Sequence, residues 1–74
     1  MDFLERMLDE YANLYYMKNK LERWILKNVD NGYSEEYLDK CYEQFTAMDI
    51  YCKALKQRIE LVKRDKHVKN PRGL

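Results

Sequence analysis

The sequence predicts an all-α protein: an antiparallel helical hairpin of two long helices, several copies of which pack into a homo-oligomeric helical bundle. Three observations lead there. First, between residues 38 and 62 the apolar side chains fall at Leu38, Cys41, Phe45, Met48, Cys52, Leu55, Ile59 and Val62, alternately three and four apart. At 3.6 residues per turn this spacing draws one stripe along a helix, whereas a strand would need alternation with period two. Second, a matching stripe of Leu4, Met7, Tyr11, Leu14, Lys18, Leu21 and Ile25 precedes it, and the short segment between them forces an antiparallel return. Third, the chain has 74 residues. A hairpin of that size buries too little apolar surface to offset its conformational entropy unaided, so partner subunits are expected.

The first helix is expected over about residues 3–28. Asp2 is a plausible N-cap, and Glu5 three residues on completes the pattern of a capping box with Asp in place of Ser or Thr. Its apolar face is wider than a two-stranded seam, because Phe3, Leu8, Tyr15, Met17 and Trp24 flank the stripe. One partner helix cannot cover so wide a face, which again argues for packing between hairpins. Lys18 interrupts the stripe. Either its stem covers apolar surface while the ammonium reaches water, or the ammonium faces a polar pocket or an anionic ligand.

Residues 28–34, N-V-D-N-G-Y-S, read as a turn over 29–34. Asn31-Gly32 suits left-handed backbone, and Ser34 is the expected N-cap of a second helix over about 35–68, with Glu35 and Glu36 facing the positive end of its dipole. Folding there sets Ile25 near Leu38, Lys18 near Phe45, Leu14 near Met48 and Asp49, Tyr11 near Cys52 and Leu4 near Ile59. Helix two is expected to fray between Lys66 and Asn70, to stop at Asn70-Pro71, and to leave a mobile tail over 71–74.

Composition excludes several classes. Fourteen Lys and Arg against thirteen Asp and Glu give a formal charge of +1, which does not suit a DNA binder. Five basic residues (Lys63, Arg64, Lys66, Lys69, Arg72) gather at the C-terminal end, a solvated end or an aid to anion binding. No run is apolar enough to span a membrane and no basic, then apolar leader opens the sequence, so a cytosolic location is expected. Cys41 and Cys52 lie on one stripe ~16 Å apart along the helix, beyond disulfide reach, and read as small buried thiols. With two Cys and one His, no metal or cofactor site is expected. His67 lies near the frayed end, and no nucleophile stands beside an activating base, so no catalytic residues are assigned.

Polar-tipped aromatics stand out: seven Tyr and one Trp. Such rings serve protein interfaces and also stack on nucleobases, at about 1–3 kcal/mol per base. Tyr11, Tyr15, Lys18, Arg23 and Trp24 lie on or beside the face of helix one, and Tyr37, Tyr51 and Arg58 share heptad position g of helix two. An aromatic beside a cation offers a face for a base and a charge for a phosphate. An ordinary protein interface uses the same pair.

The residues 44–51, Q-F-T-A-M-D-I-Y, with Leu55 and Arg58-Ile59, resemble the second-helix pattern Q-L-x-A-M-x-x-Y-x-x-x-L-x-x-R-I of small hairpin proteins of crAss-like and other tailed phages, with Phe45 in place of Leu. Glu10, Leu14, Lys18, Lys20-Leu21 and Trp24-Ile25 are similar to their first helix, so the resemblance covers residues 4–62. These hairpins are in turn similar to phage sponge proteins of the anti-CBASS and anti-Thoeris type. Those assemble into multimers, often hexamers, that sequester cyclic oligonucleotides or cyclic ADP-ribose signals without cleaving them. The resemblance implies a phage immune evasion protein with a ligand site between protomers. Its candidate ligand residues are Tyr11, Lys18, Trp24, Tyr51 and Arg58, with Asn13 and Gln44 reading base edges. Two other classes stay open: a protein-binding inhibitor of a host defence enzyme, of anti-CRISPR kind, and a structural coiled-coil hairpin of the phage.

Overall fold

The computed structural model describes residues 2–67, with side chains to residue 65. It contains two helices, α1 over Phe3–Asn28 and α2 over Glu35–His67, and no strand among the described residues. The stop expected at Asn70-Pro71, the tail, and the basic residues Lys69 and Arg72 lie outside the described residues.

Local chemistry sets each helix end. The Glu5 N–H donates to Asp2 Oδ1 at 2.8 Å, so Asp2 caps α1 as its side chain requires. At the far end the Asn28 side-chain amide donates to the Trp24 carbonyl at 2.9 Å and its oxygen accepts from Asn31 Nδ2 at 2.9 Å. Gly32 follows with φ of +86°, a left-handed conformation that a side chain resists. Ser34 then caps α2: its Oγ accepts from the Tyr37 N–H at 3.1 Å, and its carbonyl accepts from the Leu38 N–H at 3.0 Å.

The two stripes meet along the hairpin, 58 Å in its longest dimension. Among the described residues every buried one lies on a stripe: Met7, Ile25, Leu38, Cys41, Cys52, Leu55 and Ile59. Met7, Leu55 and Ile59 form one cluster at the open end, with Leu4, Tyr11 and Val62 packed against it. At the loop end Ile25, Leu38 and Cys41 are buried. Both cysteines are free thiols within this packing.

The middle of the hairpin differs. Leu14, Lys18, Leu21, Phe45 and Met48 occupy stripe positions yet remain only half-buried. Two helices touch along a line, and a face as wide as that of α1 keeps surface on both sides of it. No polar or charged residue is buried among the described residues.

Candidate functional site

The hairpin presents two flanks, one on each side of the packing line, and the five candidate residues divide between them. Lys18 and Trp24 stand six residues apart on α1, about 120° around the helix axis. Their partners on α2, Asp49 and Tyr37, are separated by a similar angle, so each pair marks a different flank.

The Lys18 flank is an electrostatic knot. Lys18 Nζ lies 3.2 Å from Asp49 Oδ1, and Lys53 Nζ lies 3.1 Å from Asp49 Oδ2. The Lys18 side chain is 15% exposed and that of Asp49 30%. The folding register predicts Phe45 opposite Lys18; the ammonium pairs instead with Asp49, four residues further along α2. Nζ also sits 5.1 Å from the centre of the Tyr15 ring, which stacks with Tyr11 at 5.9 Å. The hydrogen bond to Asp49 raises the Lys18 pKa above its ordinary value, against the opposing effect of burial. The hydrogen bonds from Lys53 and then Lys18 lower that of Asp49. Both readings of Lys18 are thus met in part: its stem covers the stripe, and its ammonium faces an anion supplied by α2.

The Trp24 flank carries rings and a groove. Trp24 meets Tyr33 edge-on at 5.1 Å and Tyr37 at 6.1 Å, while Tyr33 and Tyr37 stack at 5.5 Å. Cap hydrogen bonds tie the backbone beside two of these rings. Asn28 ties down the Trp24 turn, and Ser34 fixes the backbone of Tyr37. The Tyr37 pKa is raised, first by the charge that an ionised Cys41 thiol would place beside a phenolate, then by a hydrogen bond with that thiol. Beside Trp24 runs an open groove of about 350 Å³ between the helices, walled by Tyr16, Met17, Lys20, Leu21, Gln44 and Met48. Its size falls in the usual range for small-molecule sites, about 300–1,000 Å³.

Tyr51 and Arg58 share heptad position g with Tyr37, so they lie on the Trp24 flank. They are remote from Trp24 within one chain. Tyr51 is 14 residues beyond Tyr37 and Arg58 is 21, or about 21 Å and 31 Å along α2. Both are exposed, and Arg58 enters no ion pair, hydrogen bond or ring contact with the described residues. One hairpin therefore sets Tyr11 and Lys18 against the same Tyr15 ring, and Trp24 at the groove, but does not gather all five residues.

Sequence reasoning left Lys20 and Tyr33 out of the candidate set. Tyr33 belongs to the turn, and heptad spacing says nothing of turn residues. The available signal was its position four residues before Tyr37, across the Ser34 cap.

No curated protein and no solved structure matches the chain. A family model does: that of the Sequestin family matches residues 1–61, spanning α1 and α2 as far as Leu61. The chain belongs to the Sequestin family, whose name denotes sequestration of a molecule.

Proposed function

We propose that this chain is a phage-encoded immune evasion protein that binds and sequesters a cyclic nucleotide second messenger of bacterial antiviral defence, of CBASS or Thoeris type. Binding takes place where protomers meet, and the ligand is not cleaved. The observation that carries this reading is the groove walled by Trp24, Lys20 and Gln44, with Tyr33 and Tyr37 packed against the Trp24 ring at its end. Rings stack on a base without regard to its edge, the Lys20 ammonium attracts phosphate, and the Gln44 amide reads a base edge. The contacts among the Trp24, Tyr33 and Tyr37 rings exist before the ligand arrives, which lowers the ordering cost of stacking on them. Sequestration needs no catalytic group. It works by mass action, and membership of a family named for it supports the reading.

A thermal-shift titration with cyclic dinucleotides, cyclic trinucleotides and cyclic ADP-ribose forms tests it. A ligand present at a hundred times its Kd stabilises the folded state by about 2.7 kcal/mol. One member of the panel is expected to raise the melting temperature of the wild type and to leave Trp24→Ala unmoved. A flat response to the whole panel contradicts the proposal.

A second reading has its own observation. The outer face of α2 bears a shallow depression of about 530 Å³ walled by Asp39, Tyr42, Glu43, Thr46, Ile50 and, at the edge it shares with the Trp24 flank, Ala47; Ile50 is 63% exposed. Acids around exposed apolar side chains suit a protein-binding inhibitor of a host defence enzyme. Recovery of one stoichiometric host protein by the tagged chain, lost in Ile50→Asp, would favour it.

A further inference from the structure

We infer that two copies of this chain pair antiparallel through the Trp24 flank, about a two-fold axis passing beside Ala47, so that Arg58 of the partner subunit completes the aromatic site of each protomer. The inference rests on the ligand-binding reading above and specifies where its shared site is built.

The pattern on α2 is self-complementary. Position g holds Tyr37, Gln44, Tyr51 and Arg58, seven residues apart, and this set is centred between residues 47 and 48. Turning the helix end for end about that point lays Tyr37 over Arg58, Gln44 over Tyr51 and Ala47 over Met48, so that the two copies of Ala47 stand one residue, about 1.5 Å, apart along the axis. An isologous interface requires this reciprocity, in which residue i meets j and j meets i. The pairs are also chemically matched. Trp24, Tyr33 and Tyr37 present ring faces, and no cation–ring contact involves them among the described residues. Arg58 is an exposed cation whose side chain engages no described residue, and it lies about 31 Å from Tyr37 in its own chain. Only a second copy brings the two within cation–π distance, about 6 Å. Gln44 and Tyr51 offer an amide and a phenol that hydrogen-bond to each other. Ala47 keeps the helices from clashing at the axis, where they approach most closely.

The same contact accounts for the half-buried middle of the hairpin. Met48 and Leu21 are stripe residues that one chain leaves partly open, and both wall the groove beside the axis. The partner helix covers that groove and turns an open trough into a shared chamber. Each dimer then holds two equivalent sites, each with rings and Lys20 from one subunit and a guanidinium from the other.

Cysteine cross-linking of the full chain tests the pairing without any ligand. Ala47→Cys introduces a small, exposed thiol, and circular dichroism checks that helicity is retained. Under mild oxidation it is expected to form a disulfide-linked dimer, while Glu22→Cys on the Lys18 flank and the wild type, with its buried Cys41 and Cys52, do not. A second measurement uses mixed chains: Gln44→Cys and Tyr51→Cys are expected to cross-link to each other and neither to itself. A monomeric Ala47→Cys product, or equal cross-linking of Glu22→Cys, overturns the interface. The thermal-shift panel reads the other claim separately. A ligand shift without the 47–47 cross-link leaves sequestration standing and removes this interface, and a cross-link with no ligand shift does the reverse.

Discussion

Replacing Leu55 by alanine probes the packing on which the hairpin depends. Leu55 is fully buried, at 0% exposure, between Met7 and Ile59 in the open-end cluster. The change deletes three carbons, worth about 0.8 kcal/mol each in transfer from water, and leaves a cavity in the cluster; together the expected loss is about 3–4 kcal/mol. A chain of this length has a stability of about 4–11 kcal/mol, at roughly 0.05–0.15 kcal/mol per residue, so the variant loses about a quarter of it or more. Leu61→Ala makes the same chemical change on the same helix at a position 47% exposed, and its cost should stay within about 0.5 kcal/mol. Urea unfolding followed by circular dichroism, at one fixed protomer concentration, compares the two. The midpoint should fall steeply for Leu55→Ala and scarcely for Leu61→Ala, with the slope unchanged. A loss below about 1 kcal/mol for Leu55→Ala, or equal losses for both, would refute the assignment of the core, since large-to-small changes in a packed core cost about 2–5 kcal/mol.

Other expectations concern the ends and charges of the hairpin. Ser34→Ala removes the oxygen that accepts from the Tyr37 N–H and should cost about 1 kcal/mol in the same unfolding assay. Gly32→Ala meets open space but a φ of +86°, so it should destabilise by about 1 kcal/mol through backbone strain alone. The Asp49 pKa is lowered from 3.8 and the Lys18 pKa raised from 10.5. The contribution of Asp49 is therefore complete above pH 3.8 and lost as pH falls through its lower folded value, whereas that of Lys18 is complete below pH 10.5 and lost as pH rises through its higher one. Asp49→Asn should flatten the acid limb of a stability–pH profile relative to the wild type. Arg58→Ala should keep its helicity and lose the ligand-induced thermal shift; loss of helicity instead would make Arg58 structural.

The fold was legible because helical packing has a period. Eight apolar positions at alternating spacings of three and four residues fix which side of α2 is buried, and all seven residues buried among those described lie on the predicted stripes. The caps were legible for a related reason, since Asp2 and Ser34 carry short acceptors at the one position where a helix start needs them. The middle of the hairpin was less so. Periodicity marks Leu21 and Met48 as apolar-face positions without saying that one partner helix leaves them half open. The candidate site was read only in pieces. Lys18 stands out as a cation on an apolar stripe, but its pairing with Asp49, four residues past Phe45, is not encoded in heptad positions. Trp24 and Tyr37 were each noticed without their contact, because the turn that joins their elements, and Tyr33 within it, have no period.

Sequestration of a nucleotide signal at a contact between protomers is tested most directly by native mass spectrometry of the chain purified gently from cells with an active cyclic-nucleotide defence. Stoichiometry and retained small molecules are read from the same spectrum. The account predicts an oligomer carrying additional mass of cyclic-nucleotide size, released on denaturation and absent from Trp24→Ala. A bare oligomer from signalling cells, or a monomer, would contradict it.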